Sequence, residues 1–150
     1  MHPQTPALVM ADLRLVGVLE RILAAANPQE GCALLLGQRQ GDALVLRSIW
    51  PCCNRWPEAA ERGSRFAVDP REQLLAQKWA RLHKQAVLGF AHSHPQAGPD
   101  PSATDLELAV APVLMVIQGL AAGGGPPVLR CWWIEDNGVQ PQPLPWRMGS

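Results

Sequence analysis

His92 and His94 stand two residues apart at the close of the apolar run Ala86–Ser93, and Ser102-x-x-Asp105 follows after the loop Pro95–Pro101. No other stretch of the chain constrains the fold as strongly. Strand residues two apart project to the same side. A strand ending in His-x-His therefore presents two imidazoles together, with Cα atoms about 6–7 Å apart. Pro95 ends that strand, the Pro- and Gly-rich loop turns the chain back, and Asp105 falls in the first turn of a helix opened by Ser102. Two imidazoles and a carboxylate at one point are three ligands for zinc, whose fourth position in a catalytic site is kept for water. Zinc so held keeps one positive charge and brings the pKa of that water towards ~7.

A peptidase built on such a site needs a general base that is not a ligand. Glu30 is the candidate, because it stands just before the apolar run Ala33–Gly37, where a buried charge is costly without a purpose. It would take a proton from water and return it to a leaving amine. Ser102 with Asp105 is also a helix capping box. The two roles are compatible, since the cap holds Asp105 in place and leaves the hydroxyl to donate to a developing oxyanion.

The rest of the chain reads as alternating strands and helices. Ala7–Met10 is a short strand, and Asp12 caps a helix with Leu15, Val18, Leu19, Ile22, Leu23 and Ala26 inward. Gln29–Gly37 suits a strand buried on both faces. Gly41-Asp42 is a turn, with Ala43–Trp50 as the hairpin partner. The segment 51–64 lacks periodicity and reads as a mobile surface loop. Asp69-Pro70-Arg71-Glu72 starts a helix, with Asp69 accepting from the N3 amide and Glu72 reaching back. That helix is expected to reach about Lys84 and to bury Leu75, Trp79 and Leu82. After the His-x-His strand, the helix from Ser102 is expected to turn Leu106, Ala109 and Val110 inward and to end near Pro112. Val113–Gln118 and Val128–Glu135 are two further strands, Asp136-Asn137-Gly138 is a turn, and Val139 onward adds an edge strand or wanders. Trp132 and Trp133 are adjacent, so one faces each side of the sheet. The elements predict an α/β class built on one mixed sheet.

Thirteen basic and thirteen acidic residues cancel, which gives no basic face for nucleic acid. No apolar run approaches a membrane span. Four cysteines without a C-x-x-C pair argue against a thiolate zinc site and, with no signal-peptide pattern, for a cytoplasmic, reducing setting.

Glu30, His92-x-His94-Pro95 and Ser102-x-x-Asp105 resemble the JAMM motif of MPN-domain zinc metallopeptidases. The pattern there is a distant Glu, then His-x-His, seven residues, Ser, two residues, Asp. Glu30–Gly37 resembles the family's Glu-bearing strand, and Arg65-Phe66-Ala67-Val68-Asp69-Pro70 its helix-entry segment. Ala33 departs from the pattern, since many members have Gly there; its side chain is expected at most to narrow the groove beside Glu30. The resemblance covers roughly residues 7–135. It implies a cytidine-deaminase-like α/β/α sandwich in one domain spanning 1–150, with a Pro-rich tail at 140–150. It implies one Zn2+ on His92, His94 and Asp105, with Glu30 as acid and base. Members hydrolyse peptide or isopeptide bonds beside the C-terminal tail of ubiquitin-like proteins, and short bacterial members are associated with small sulfur-carrier proteins. The two inserts that clasp substrate in eukaryotic members would map to 51–64 and 119–127, both short here, which favours a small extended tail. The alternative is a non-catalytic MPN scaffold that binds a ubiquitin-like partner. A zinc deaminase would require Cys-x-x-Cys ligands, which this chain lacks.

Overall fold

The computed structural model describes residues 5–135 and 140–149. Strand β1 (Leu8–Asp12) leads directly into helix α1 (Leu13–Ala25), and the Asp12 carboxylate accepts the Arg14 amide at 2.6 Å as its cap. The hairpin β2 (Cys32–Gln40) and β3 (Ala43–Cys52) follows, then helix α2 (Pro70–Leu82) and β4 (Ala86–Ser93). A short helix α3 (Ala103–Leu108), β5 (Val113–Gly119), β6 (Val128–Ile134), β7 (Gln142–Leu144) and β8 (Trp146–Gly149) complete the order.

The eight strands of the described residues join one mixed sheet in the order β7-β6-β5-β4-β2-β3-β1-β8. β4 and β5 run parallel across the α3 crossover, while β2 pairs antiparallel with both β3 and β4. β7 and β8 lie at opposite ends of this order, yet only Pro145 separates them in the chain. The sheet thus curls until β6 and β1 share one continuous segment, the part of the chain read from sequence as a Pro-rich tail.

Helix α1 covers one face. Leu19 and Leu23 are fully buried there against Val9, Leu35, Ala91, Val116 and Trp133, each contributing about 1.5–3 kcal/mol of apolar burial. Its inward stripe includes Val16 rather than Val18, which is 37% exposed. Helix α2 covers the other face. The expected anchors Leu75 and Leu82 are exposed, and Ala76 and Ala80 are the buried positions, with Trp79 half-buried. Small side chains let this helix lie close over Leu34 and Leu36, so its contact is a flat alanine stripe. The helix ends at Leu82 because Lys84 takes a positive φ of 59°. Its start also differs from expectation: Asp69 accepts from the Arg71 amide, and Glu72 accepts the Trp50 indole N–H at 2.7 Å instead of reaching back. Trp132 and Trp133 do point to opposite faces. The anticipated turn at 136–138 and residue 139 lie outside the described residues.

Candidate metal centre

β2 and β4 pair with Cys32 opposite His92 and Ala33 opposite Ala91. Continued by two residues, that register sets Glu30 across from His94. The continuation is held by two hydrogen bonds: the Ser93 amide donates to the Gly31 carbonyl at 3.1 Å, and the Gly31 amide donates to Ser93 Oγ at 2.7 Å. Gly31 has no room for a side chain, since a Cβ there would stand 2.6 Å from the Leu23 carbonyl oxygen. Helix α1 and the entry to β2 are thereby pressed together directly behind Glu30.

The residues singled out in the sequence converge. Glu30, His92, His94 and Asp105 are all buried, and one potential ligand atom from each lies within 4.8 Å of the others. His92 Nε2 and His94 Nε2 are each 3.0 Å from Asp105 Oδ2 and 3.1 Å from one another. His94 Nδ1–H donates to the Gly98 carbonyl at 2.8 Å, so in the neutral ring Nε2 carries the lone pair, whereas in the protonated, metal-free ring Nε2–H donates to Asp105. Phe66 stacks on the His92 ring with centroids 4.6 Å apart.

Helix α3 is built to place Asp105. The Ser102 Oγ accepts the Asp105 amide at 3.0 Å, and the Ser102 amide donates to Asp105 Oδ2 at 2.9 Å, a complete capping box. Ser102 keeps its own hydroxyl proton free to donate. Asp105 is the only buried residue of α3. The expected inward residue Leu106 is exposed because the inward position of this short helix is taken by the carboxylate, and the helix ends at Leu108, short of the expected Pro112, so that Val110 lies beyond it and is 86% exposed.

Burial raises the Glu30 carboxyl to about 8; the His94 charge opposes this and Asp105 adds to it. Burial also acts on Asp105, but hydrogen bonds from His92 and His94 outweigh it and hold that carboxyl far below the usual range. Burial lowers His92. It acts the same way on His94, where Asp105 and the Gly98 carbonyl reverse the sign.

This donor set fits a divalent metal ion. With both imidazoles neutral and both Nε2 atoms bare, these acceptor atoms about 3 Å apart repel unless a positive centre lies among them. A tetrahedral ion with ligands at about 2.0–2.1 Å spaces its ligand atoms by roughly 3.3–3.4 Å, so the three need move only a few tenths of an ångström. Glu30 Oε1 is buried with no hydrogen-bond partner among the described residues, as a carboxylate kept for a further group would be.

Three contributors were not read from the sequence. Ser93 is a polar residue on the α1 side of an otherwise apolar strand, and that mismatch was its signal. Gly98 acts through its carbonyl, which no residue type advertises. Asn54 sits in the segment 51–64, which is not a loose loop. Its amide donates to the carbonyls of Glu30, Arg62 and Arg65, and its oxygen accepts from Trp56 and Ala67. The Glu30 amide in turn donates to Arg62 at 2.7 Å. Ala33 is fully buried in the core beneath α1, so its methyl does not narrow the groove beside Glu30.

A groove of about 430 Å³ runs from Asp105 between Phe66, Val68, Phe90, Leu108 and Val113. Residues 13–135 match the family described as prokaryotic homologs of the JAB domain. The chain is 35% identical over 86 residues to the desampylase of Haloferax volcanii, a match that covers 57% of this chain and 58% of that relative's length. It is also similar to a protein of Desulfitobacterium hafniense solved in solution, with a TM-score of 0.80 and 28% identity over 95% of this chain and 94% of that one. A second solution structure, from Salinibacter ruber, aligns with a TM-score of 0.65 and 26% identity over 94% and 92% of the two chains.

Proposed function

We propose that this chain, which belongs to the family of prokaryotic homologs of the JAB domain, is a zinc metallopeptidase. Its substrate would be a peptide or isopeptide bond at the C-terminal tail of a ubiquitin-like protein, a small sulfur carrier being the preferred candidate. The observation that carries this reading is the buried cluster of Glu30, His92, His94 and Asp105, in which one carboxylate oxygen has no partner among the described residues. The likeness to a protein named desampylase supports a ubiquitin-like partner.

His92, His94 and Asp105 would hold the zinc, which supplies positive charge to acidify a water and polarise the scissile carbonyl. Glu30 takes the proton from that water as its oxygen bonds to the carbonyl carbon. The Ser102 hydroxyl donates to the carbonyl oxygen as negative charge gathers there. Glu30 then passes the proton to the amine nitrogen while the C–N bond breaks. The groove ending at Asp105 suits an extended acyl-side tail. Ala67 bonds to Arg55 and Asn54 on one side, while Phe66 and Val68 carry no backbone partner among the described residues, leaving a short edge for a substrate strand.

The test is metal analysis together with mass spectrometry of ubiquitin-like and sulfur-carrier proteins bearing residues after their terminal Gly-Gly. Near-stoichiometric zinc and loss of the trailing residues are expected. Glu30→Gln should keep zinc and lower kcat by at least about 100-fold, whereas His92→Ala should lose both. A purified protein without zinc, or full cleavage by Glu30→Gln, would overturn the mechanism. An equal grip on the tailed protein by both forms, with nothing cleaved, would instead favour the scaffold reading.

A further inference from the structure

The loop between the two histidines and the aspartate does not stand on its own. It is seated on the ends of β5 and β6 by four contacts. The Leu120 amide donates to the Ala97 carbonyl at 2.8 Å. Gly119 packs so closely beneath the Gly98–Pro99 peptide that a Cβ would fall 2.4 Å from the Gly98 carbonyl carbon and 2.5 Å from the Pro99 nitrogen. The Trp132 indole N–H donates to the Pro99 carbonyl at 2.9 Å. Arg130 lies over the Trp132 ring, 4.6 Å from its centroid, and pairs with Asp100 at 2.9 Å. Between these anchors sits the one carbonyl, that of Gly98, that receives the His94 Nδ1 proton.

We propose that Gly119 and Trp132 are positioning residues for the metal centre, setting the height of the Gly98 carbonyl and through it the tautomer and tilt of His94. The inference rests on the metal reading of the site given above. A histidine ligand needs its second nitrogen tied to an acceptor, so that the lone pair faces the metal in a fixed direction. Here the acceptor is a backbone carbonyl in a loop rich in Pro and Gly, and a loop cannot hold a carbonyl to a few tenths of an ångström by itself. The bare Cα of Gly119 lets the peptide come down, and the buried indole of Trp132, only 8% exposed, pulls the next carbonyl the same way. Arg130 is 45% exposed at its side chain and serves mainly as a cover.

The sheet itself offers a control. Trp133 is buried on the opposite face, and its indole nitrogen has no hydrogen-bond partner among the described residues. Trp133→Phe therefore removes similar bulk without touching the loop. The full chain is titrated with cobalt(II), whose visible bands report ligand geometry, and thermal unfolding of the metal-free form is followed alongside. Trp132→Phe is expected to weaken cobalt binding about tenfold, and Gly119→Ala about 100-fold, both with altered bands and a changed His94 ring-nitrogen NMR signature. Trp133→Phe should lower the unfolding temperature as much as Trp132→Phe does, yet bind cobalt like the wild type. Arg130→Ala should change affinity by no more than about twofold. Wild-type affinity and bands in folded Trp132→Phe overturn the proposal, even if Gly119→Ala fails to fold. A wild-type chain that binds no cobalt overturns it together with the metal reading, whereas loss of binding in the variants with no cleavage by any form leaves it standing and removes only the peptidase assignment.

Discussion

In the proposed reaction Glu30 is the acid and base, and its surroundings make its ionisation visible in stability. Its carboxyl is raised from 4.5 to about 8, first by burial. Between those values the folded, metal-free protein binds a proton that the unfolded chain has released. Stability therefore falls as pH rises through this window, at up to about 1.36 kcal/mol per pH unit. Glu30→Gln has no proton to lose. Urea unfolding of the metal-free forms at pH 5.5, 6.5 and 7.5 should show the variant gaining on the wild type at each step, by a few kcal/mol in all. A difference that stays flat with pH would mean that Glu30 is ionised in the folded state. The position of this residue was legible in the sequence, because an acid at the mouth of an apolar strand is conspicuous. The partners that hold it there were not, since they bind the backbone around it and not its carboxylate.

Among the elements, β4 and the α3 cap were readable because their patterns are local: an apolar run ending in His-x-His, and Ser102-x-x-Asp105. The inward faces of α2 and α3 were not. Hydrophobicity along α2 favours Leu75 and Leu82, but close approach to the sheet selects Ala76 and Ala80, a choice made by distance between layers and not by residue type. The stretch from β3 to α2 was hidden for another reason. Its order comes from a single side chain, Asn54, which meets three carbonyls and two amides. Asn54→Asp keeps the shape but sets a carboxylate against the carbonyls of Glu30, Arg62 and Arg65. Loss of two amide protons shared among three carbonyls, two part-buried and one exposed, should destabilise the protein by roughly 1–3 kcal/mol. The proposed ligands His92, His94 and Asp105 belong to other segments, so metal affinity should change little while kcat falls through a displaced Glu30. Metal titration and steady-state cleavage separate the two effects; a variant with normal kcat would mean that the loop only covers the site and does not position the base.

At the scale of the whole molecule, the segment 142–149 does something that its composition conceals. Two prolines and short strands suggest a trailing end, yet Cys131–Trp133 of β6 pair with Gln142–Leu144, and Val9–Asp12 of β1 pair with Trp146–Gly149. The Val9 amide donates to the Pro145 carbonyl at 3.0 Å, and Leu144 is buried beside Val9, Ala11, Cys131 and Trp133. One strap thus occupies both outer edges of the sheet. Removing residues 141–150 would expose two strand edges and the apolar pocket of Leu144. Burial of that leucine contributes about 1.5–3 kcal/mol, and the bridging hydrogen bonds add roughly 0.5–1.5 kcal/mol each, a large share of a typical stability of about 5–15 kcal/mol. The shortened chain should therefore melt well below the full one. It should also associate, because two bare edges are templates for pairing. Leu144→Ala isolates the packing part and should cost about 2–3 kcal/mol without association, since its backbone still covers both edges. Calorimetry and light scattering distinguish the two variants. If the shortened chain stays monodisperse and melts with the full one, the edges are protected by their own twist and the strap is dispensable. Metal affinity should suffer less than stability in the shortened chain, because Trp132 remains laddered to Met115 of β5 and the loop that carries Gly98 keeps its seat.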